Sequence, residues 1–238
     1  MPYREAQFVK GEIYHIILRG IDDNLIFKDQ DDYYRGIFSI YEFNTTRPVT
    51  IQYRRKVRAK IKKELDRGPS SIADERDKVV EVLAFCLMPN HIHLLLKQLK
   101  DNGITRFMSK VGTGYGGYFN RKNNRKGYVF QNRFLAVHVK NEDQLKNVFV
   151  YIHTNPASLI EPNWKERGIK NPKKAVEFLK NYKWSSYQDY IGKKNFPSVT
   201  DRNFILKTMN TEKGCKKFIE YWLRYKGEIR EFSNLALE

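Results

Sequence analysis

Cysteine is nearly absent from this chain. Cys86 and Cys215 are the only two among 238 residues. That excludes a disulfide framework and a metal site built on thiolates. Cys86 stands in an apolar stretch and reads as a small core residue. No apolar run is long enough to cross a bilayer as a helix. The opening residues, Met1-Pro2-Tyr3-Arg4-Glu5, carry no apolar signal segment. A reducing, cytoplasmic setting with no membrane partner is therefore the expectation. The sequence has no internal repeat and no P-loop. Acidic residues are scarce beside basic ones: 27 Asp and Glu against 44 Lys and Arg, a formal net charge of +17. Such an excess favours a polyanionic partner, nucleic acid first and an anionic membrane surface second.

Apolar residues make up 41% of the chain, enough for a core, and aromatics reach 14%. Rings among cations suit stacking on unpaired bases, although most of them are needed to fill the interior. Gly11 to Arg19 alternates and predicts a strand. Asp29 to Phe43 has helical spacing behind an acidic first turn. Val79 to Leu87 and His91 to Leu96 read as a hairpin turning at Met88-Pro89-Asn90. Asp101 to Asn120 reads as a helix loosened by Gly112, Gly114, Gly116 and Gly117, and Phe134 to Lys140 as a strand. Asn141-Glu142-Asp143 opens a helix that runs to about Asn155, where Pro156 follows. The order strand, helix, strand, strand, helix, strand, helix predicts an α+β fold. Its plan is a ferredoxin-like antiparallel sheet with helices on one face. We expect that domain over residues 1–160, with a basic insertion at about 47–75. Residues 161–238 form a C-terminal helical appendage, with helical patterns near Asp201 to Met209 and Glu212 to Tyr225.

The segment Met88-Pro89-Asn90-His91-Ile92-His93-Leu94-Leu95-Leu96 carries the chemistry. On a strand His91 and His93 share one face, and Ile92 points to the other. Two imidazoles so placed can grip one divalent metal. The bland alternative is one buried and one exposed histidine with no ligand. Downstream stands Val150-Tyr151-Ile152-His153-Thr154-Asn155-Pro156. Tyr151 and Asn155 are a turn apart and face the same way. If that helix crosses the sheet at the histidines, two imidazoles and an amide oxygen could bind Mg²⁺ or Mn²⁺. Tyr151 would then supply an oxygen nucleophile. His153 points away from Tyr151 and reads as structural or phosphate-contacting. His15 has no ligand-spaced partner and reads as core or edge, and His138 reads as a poor candidate ligand.

Together with Gly127-Tyr128-Val129-Phe130-Gln131-Asn132-Arg133-Phe134, these motifs resemble the single-tyrosine HUH transposases of the IS200-like superfamily. HUH stands for His, hydrophobic residue, His. The nearest branch is that of the REP-associated tyrosine transposases. The resemblance spans about residues 8 to 160 and extends weakly to Trp184-Ser185-Ser186-Tyr187. It implies the HUH endonuclease fold, with His91, His93 and Asn155 as metal ligands and Tyr151 as the catalytic nucleophile. It further implies cleavage of single-stranded DNA beside hairpin, REP-like elements through a 5′-phosphotyrosine bond. That bond keeps the phosphoester's energy for rejoining, in keeping with the missing P-loop.

By charge, Arg54, Arg55 and Lys56 in the insertion, Arg121, Lys122 and Arg125 after the glycine-containing helix, and Arg133 are candidate DNA contacts. For Arg133 an ordinary surface arginine is nearly as good a reading. The rival functions are a domesticated hairpin-binding protein that does not cut, a metal-dependent phosphoesterase using water, and a replication initiator or relaxase. The appendage favours a monomer slightly over a homodimer.

Overall fold

The computed structural model describes residues 7–50, 76–131 and 133–225. Most of the basic insertion, with Arg54, Arg55 and Lys56, lies outside the described residues. The elements follow the expected order: β1 (Ile13–Arg19), α1 (Gln30–Glu42), β2 (Val80–Met88), β3 (His91–Gln98), α2 (Gly103–Lys122), β4 (Leu135–Val139) and α3 (Glu142–Thr154). Five short or medium helices come after: α4 (Trp164–Arg167), α5 (Pro172–Asn181), α6 (Tyr187–Tyr190), α7 (Asn203–Thr208) and α8 (Glu212–Tyr225). The four strands form one sheet in the order β2-β3-β1-β4, and every neighbouring pair is antiparallel.

Local chemistry accounts for the helix starts. The Asp29 carboxylate accepts a hydrogen bond from the Asp32 amide at 3.1 Å and caps α1. Asn141 accepts from the Gln144 amide at 2.8 Å and caps α3. Each satisfies a donor that the first turn leaves unpaired. The helix α2 is unbroken across its glycines. A Cβ on Gly114 would lie 2.2 Å from the Phe43 ring, so glycine there lets the end of α1 press against α2.

Helices cover both faces of the sheet, not one as the sequence order suggested. On one face Tyr14, Ile16, Leu18, Phe85, Leu87, Ile92, Leu94 and Leu96 pack with residues of α1 and α2. On the other Leu83, Ala84, Cys86, Met88 and Leu95 pack with α3 and the helices after residue 160. The reason lies in β2, whose run VEVLAFCLM is buried at all but one position. A strand that is apolar on both faces needs a layer on each.

The appendage also closes an edge. As an outer strand, β2 would leave a row of backbone groups unpaired. The Leu87 amide donates to the Trp184 carbonyl at 2.8 Å, and the Ser186 amide to the Phe85 carbonyl at 3.0 Å. The Phe85 amide donates to Ser186 Oγ at 3.0 Å, and the Tyr182 hydroxyl to the Leu87 carbonyl at 2.7 Å. Residues 161–225 thus share a core with α3 and seal β2. Among the described residues no helix is long and apolar enough to cross a membrane.

Candidate active site on the histidine face

His91 and His93 project from the start of β3 towards α3, on the face that carries Leu95. The pair lies just past the turn, where Met88 stands opposite His91 and Cys86 opposite His93. His91 Nε2 and His93 Nε2 are 2.9 Å apart. His93 is fully buried, and His91 is 7% exposed. The Asn155 side-chain amide reaches His93 Nε2. Asn155 follows the last turn of α3 in helical geometry, and its backbone amide donates to the Tyr151 carbonyl. The Tyr151 ring stands edge-on to His93 with centroids 5.7 Å apart, and edge-on to His15 at 5.8 Å. Leu145, Val148, Phe149 and Ile152 bury α3 against the sheet, which brings Tyr151 and Asn155 to this place.

His15, read from the sequence as core or edge, is fully buried and joins the histidine cluster. It lies on β1, and its Nε2 is 3.1 Å from His93 Nδ1. The signal was weak, because the contact depends on β1 lying beside β3 with Ile17 opposite His93. His91 has a matching support: its Nδ1 is 2.7 Å from Asn90 Oδ1. One pair of tautomers turns both Nε2 lone pairs inward. In it the His91 Nδ1–H donates to Asn90 and the His93 Nδ1–H donates to His15. Two lone pairs at 2.9 Å repel unless a proton or a cation lies between them. Turning the Asn155 amide over exchanges its nitrogen for an oxygen and adds a third donor at the same point. Two imidazole nitrogens and one amide oxygen suit a borderline divalent cation. Among the described residues no three His, Cys, Asp or Glu side chains gather as a metal site, and the further polar side chain that reaches His93 is the Asn155 amide.

The other histidines serve structure. His138 is on the opposite face, stacked on Tyr14 at 5.0 Å and paired with Glu12 at 2.8 Å. His153 is fully buried, with Nδ1 donating to the Phe149 carbonyl at 2.9 Å and Nε2 2.8 Å from Ser186 Oγ. It ties α3 to the segment that seals β2. Burial pushes its pKa down to about 3, against the opposing pull of the Phe149 carbonyl. Unfolded, the imidazole takes up a proton near pH 6.5. Between those values the unfolded chain binds more protons than the folded one, so stability falls as pH drops below about 6.5. The slope from this residue approaches about 1.4 kcal/mol per pH unit. Urea midpoints at about pH 7 and about pH 5 check it. The acid-side drop is expected to be clearly shallower in His153→Gln.

The basic candidates are not gathered at the histidines. Arg121, Lys122 and Arg125 lie at the end of α2, which packs on the other face. Lys122 is 2.6 Å from Asp29 and 2.7 Å from Asp32, so its charge is matched inside the protein. Although desolvation opposes it, these hydrogen bonds raise its pKa. Arg125 sits over the Phe119 ring at 5.7 Å. Arg133 is exposed and lines an open groove of about 1300 Å³ with Gly112, Gly116, Tyr128 and Phe134.

Residues 39–155 match the family model described as the IS200-like transposases. Over those residues the chain is similar to the IS200-like transposases. The matched span takes in His91, His93, Tyr151 and Asn155, while His15 on β1 and the appendage fall outside it. No curated protein matches the chain. Among solved structures the chain is similar to a REP-associated tyrosine transposase bound to a REP hairpin. The two share 16% sequence identity with a TM-score of 0.46, over 85% of this chain and 96% of that one.

Proposed function

We propose that this protein cleaves and rejoins single-stranded DNA beside hairpins, with Tyr151 as the nucleophile. One observation carries the reading: a single chain sets the Tyr151 ring against His93 while Asn155, one turn on, reaches the same imidazole. His91, His93 and Asn155 would hold Mg²⁺ or Mn²⁺, which when bound polarises the scissile phosphate. His15 and Asn90 orient the two imidazoles from behind. The Tyr151 oxygen attacks phosphorus. An O–P bond forms to tyrosine and the bond from phosphorus to the 3′-oxygen breaks. The phenol proton passes to water and the departing 3′-oxygen takes one up. Attack by a second 3′-hydroxyl runs the step backwards and joins strands.

His91 and Tyr151 each keep 7% of their surface exposed and His93 none, so a phosphate enters past His91 and Tyr151. Phosphate contacts away from the site fall to Arg121, Arg125 and Arg133, and to Arg54, Arg55 and Lys56 in the insertion. Lys122 contributes less, since two carboxylates already match it. The Tyr151 ring stands against His93 of its own chain, which supports the tyrosine acting in cis.

The test is incubation with an end-labelled DNA hairpin bearing a single-stranded flank, with Mn²⁺. The expected result is a protein–DNA adduct that survives detergent and disappears with EDTA. Tight binding without an adduct identifies a hairpin-binding module instead. Cutting that leaves a free 5′-phosphate and no adduct identifies water as the nucleophile.

A further inference from the structure

We propose that Lys165 is a positioning residue: it holds the Tyr151 hydroxyl in line and offsets the charge that gathers on that oxygen. The inference rests on the reading of Tyr151 as nucleophile and gives the appendage a part in the site. The Lys165 ammonium lies 3.3 Å from the Tyr151 hydroxyl oxygen and 5.0 Å from the centre of its ring. Both distances put one cation over one phenol, as a hydrogen-bond donor and as a cation–π partner.

The placement is built in. After Asn155 the chain makes a 3-10 turn over Asn155–Leu159. It then folds back as the Ile160 and Glu161 amides donate hydrogen bonds to the Ala157 carbonyl, at 3.1 and 2.9 Å. Trp164 is 1% exposed and anchors α4 in the same core as Tyr151. Lys165 is the next residue, so a buried indole fixes the base of its side chain. A phenol freed from such a contact rotates about its Cα–Cβ bond, and a shift of about 1 Å is enough to slow an in-line attack. When tyrosine attacks, its oxygen loses a proton; when it departs during rejoining, it leaves as an anion. A nearby ammonium favours both directions and is not itself consumed.

Lys165→Met keeps most of the stem over the ring and removes the charge; Lys165→Arg keeps the charge. At saturating labelled hairpin with Mn²⁺, Lys165→Met is expected to slow adduct formation by about 10- to 100-fold. Lys165→Arg should recover much of the rate. Hairpin affinity, compared between Tyr151→Phe and the double variant with Lys165→Met, should agree within about twofold if Lys165 makes no phosphate contact. A wild-type adduct rate in Lys165→Met overturns the inference. So does a loss of affinity as large as the loss of rate, which makes Lys165 a DNA contact. A second measurement needs no DNA and separates this inference from the nucleophile reading. With meta-fluorotyrosine at position 151, fluorine NMR should give one sharp resonance that shifts and broadens in Lys165→Met. An unchanged resonance overturns the inference, whether or not an adduct forms.

Discussion

Tyr151→Phe is expected to bind the hairpin as well as the wild-type protein and to form no covalent adduct with it. The substitution removes one oxygen and nothing else. The ring is 7% exposed, and its edge contacts with His93 and His15 belong to carbon atoms that phenylalanine keeps. The hydroxyl's contact with Lys165 at 3.3 Å is lost, at a cost of about 0.5–1.5 kcal/mol. The fold survives that. Chemistry does not, because no other oxygen on α3 stands at the histidines: Thr154 bonds back to the Val150 carbonyl at 2.9 Å within the helix. The fall in adduct formation should exceed about four orders of magnitude, the scale of losing a nucleophile. Denaturing gels of labelled hairpin give the adduct, and filter binding gives the affinity. Strand cutting that persists in Tyr151→Phe would move the protein to the water-using phosphoesterases.

Much of this site could be read from local rules. A strand alternates, so His91 and His93 share a face wherever β3 goes. A helix turns every 3.6 residues, so Tyr151 and Asn155 share a side wherever α3 goes. The helix starts at Asp29 and Asn141 were legible for the same reason, since a cap is decided within four residues. Pairing was harder. His15 reaches His93 only because β1 inserts between β3 and β4, and nothing near His15 in the chain announces its partner 78 residues on. Lys165 reaches Tyr151 only after the turn at Asn155–Leu159 reverses the chain. These contacts belong to register and fold-back, which a single sequence leaves open.

The same division explains the two expectations that changed in weight. The order of strands and helices suggested a sheet with helices on one face. The near-continuous apolar run of β2 carried the opposite message, and in the fold it is the message that holds. Basic residues gave a list of candidate contacts by charge alone. Whether a cation is spare depends on what folds against it, and Lys122 meets Asp29 and Asp32 from about 90 residues away in the chain. Composition counts charges; it does not show which of them are already matched.

His93→Ala should silence the protein more completely than His91→Ala, although both would lose one cation ligand. His93 is fully buried and stands at the centre of the cluster, in reach of His15, His91 and Asn155 together. Removing it leaves His15 and Asn155 without that nitrogen, opens a void under the Tyr151 ring, and costs about 1–3 kcal/mol of stability. His91 is at the rim, held by Asn90 at 2.7 Å, and water can enter where its ring was. Excess Mn²⁺ should therefore restore part of the adduct in His91→Ala and none in His93→Ala. The expected losses are about 100-fold and more than about 1000-fold at low Mn²⁺. Adduct yield titrated against Mn²⁺ for the two variants, with thermal melts to show that both remain folded, makes the comparison. Equal losses with equal rescue would mean that the two imidazoles act as interchangeable ligands and that His15 orients nothing. Near wild-type activity in His93→Ala would remove the histidine pair from the chemistry altogether.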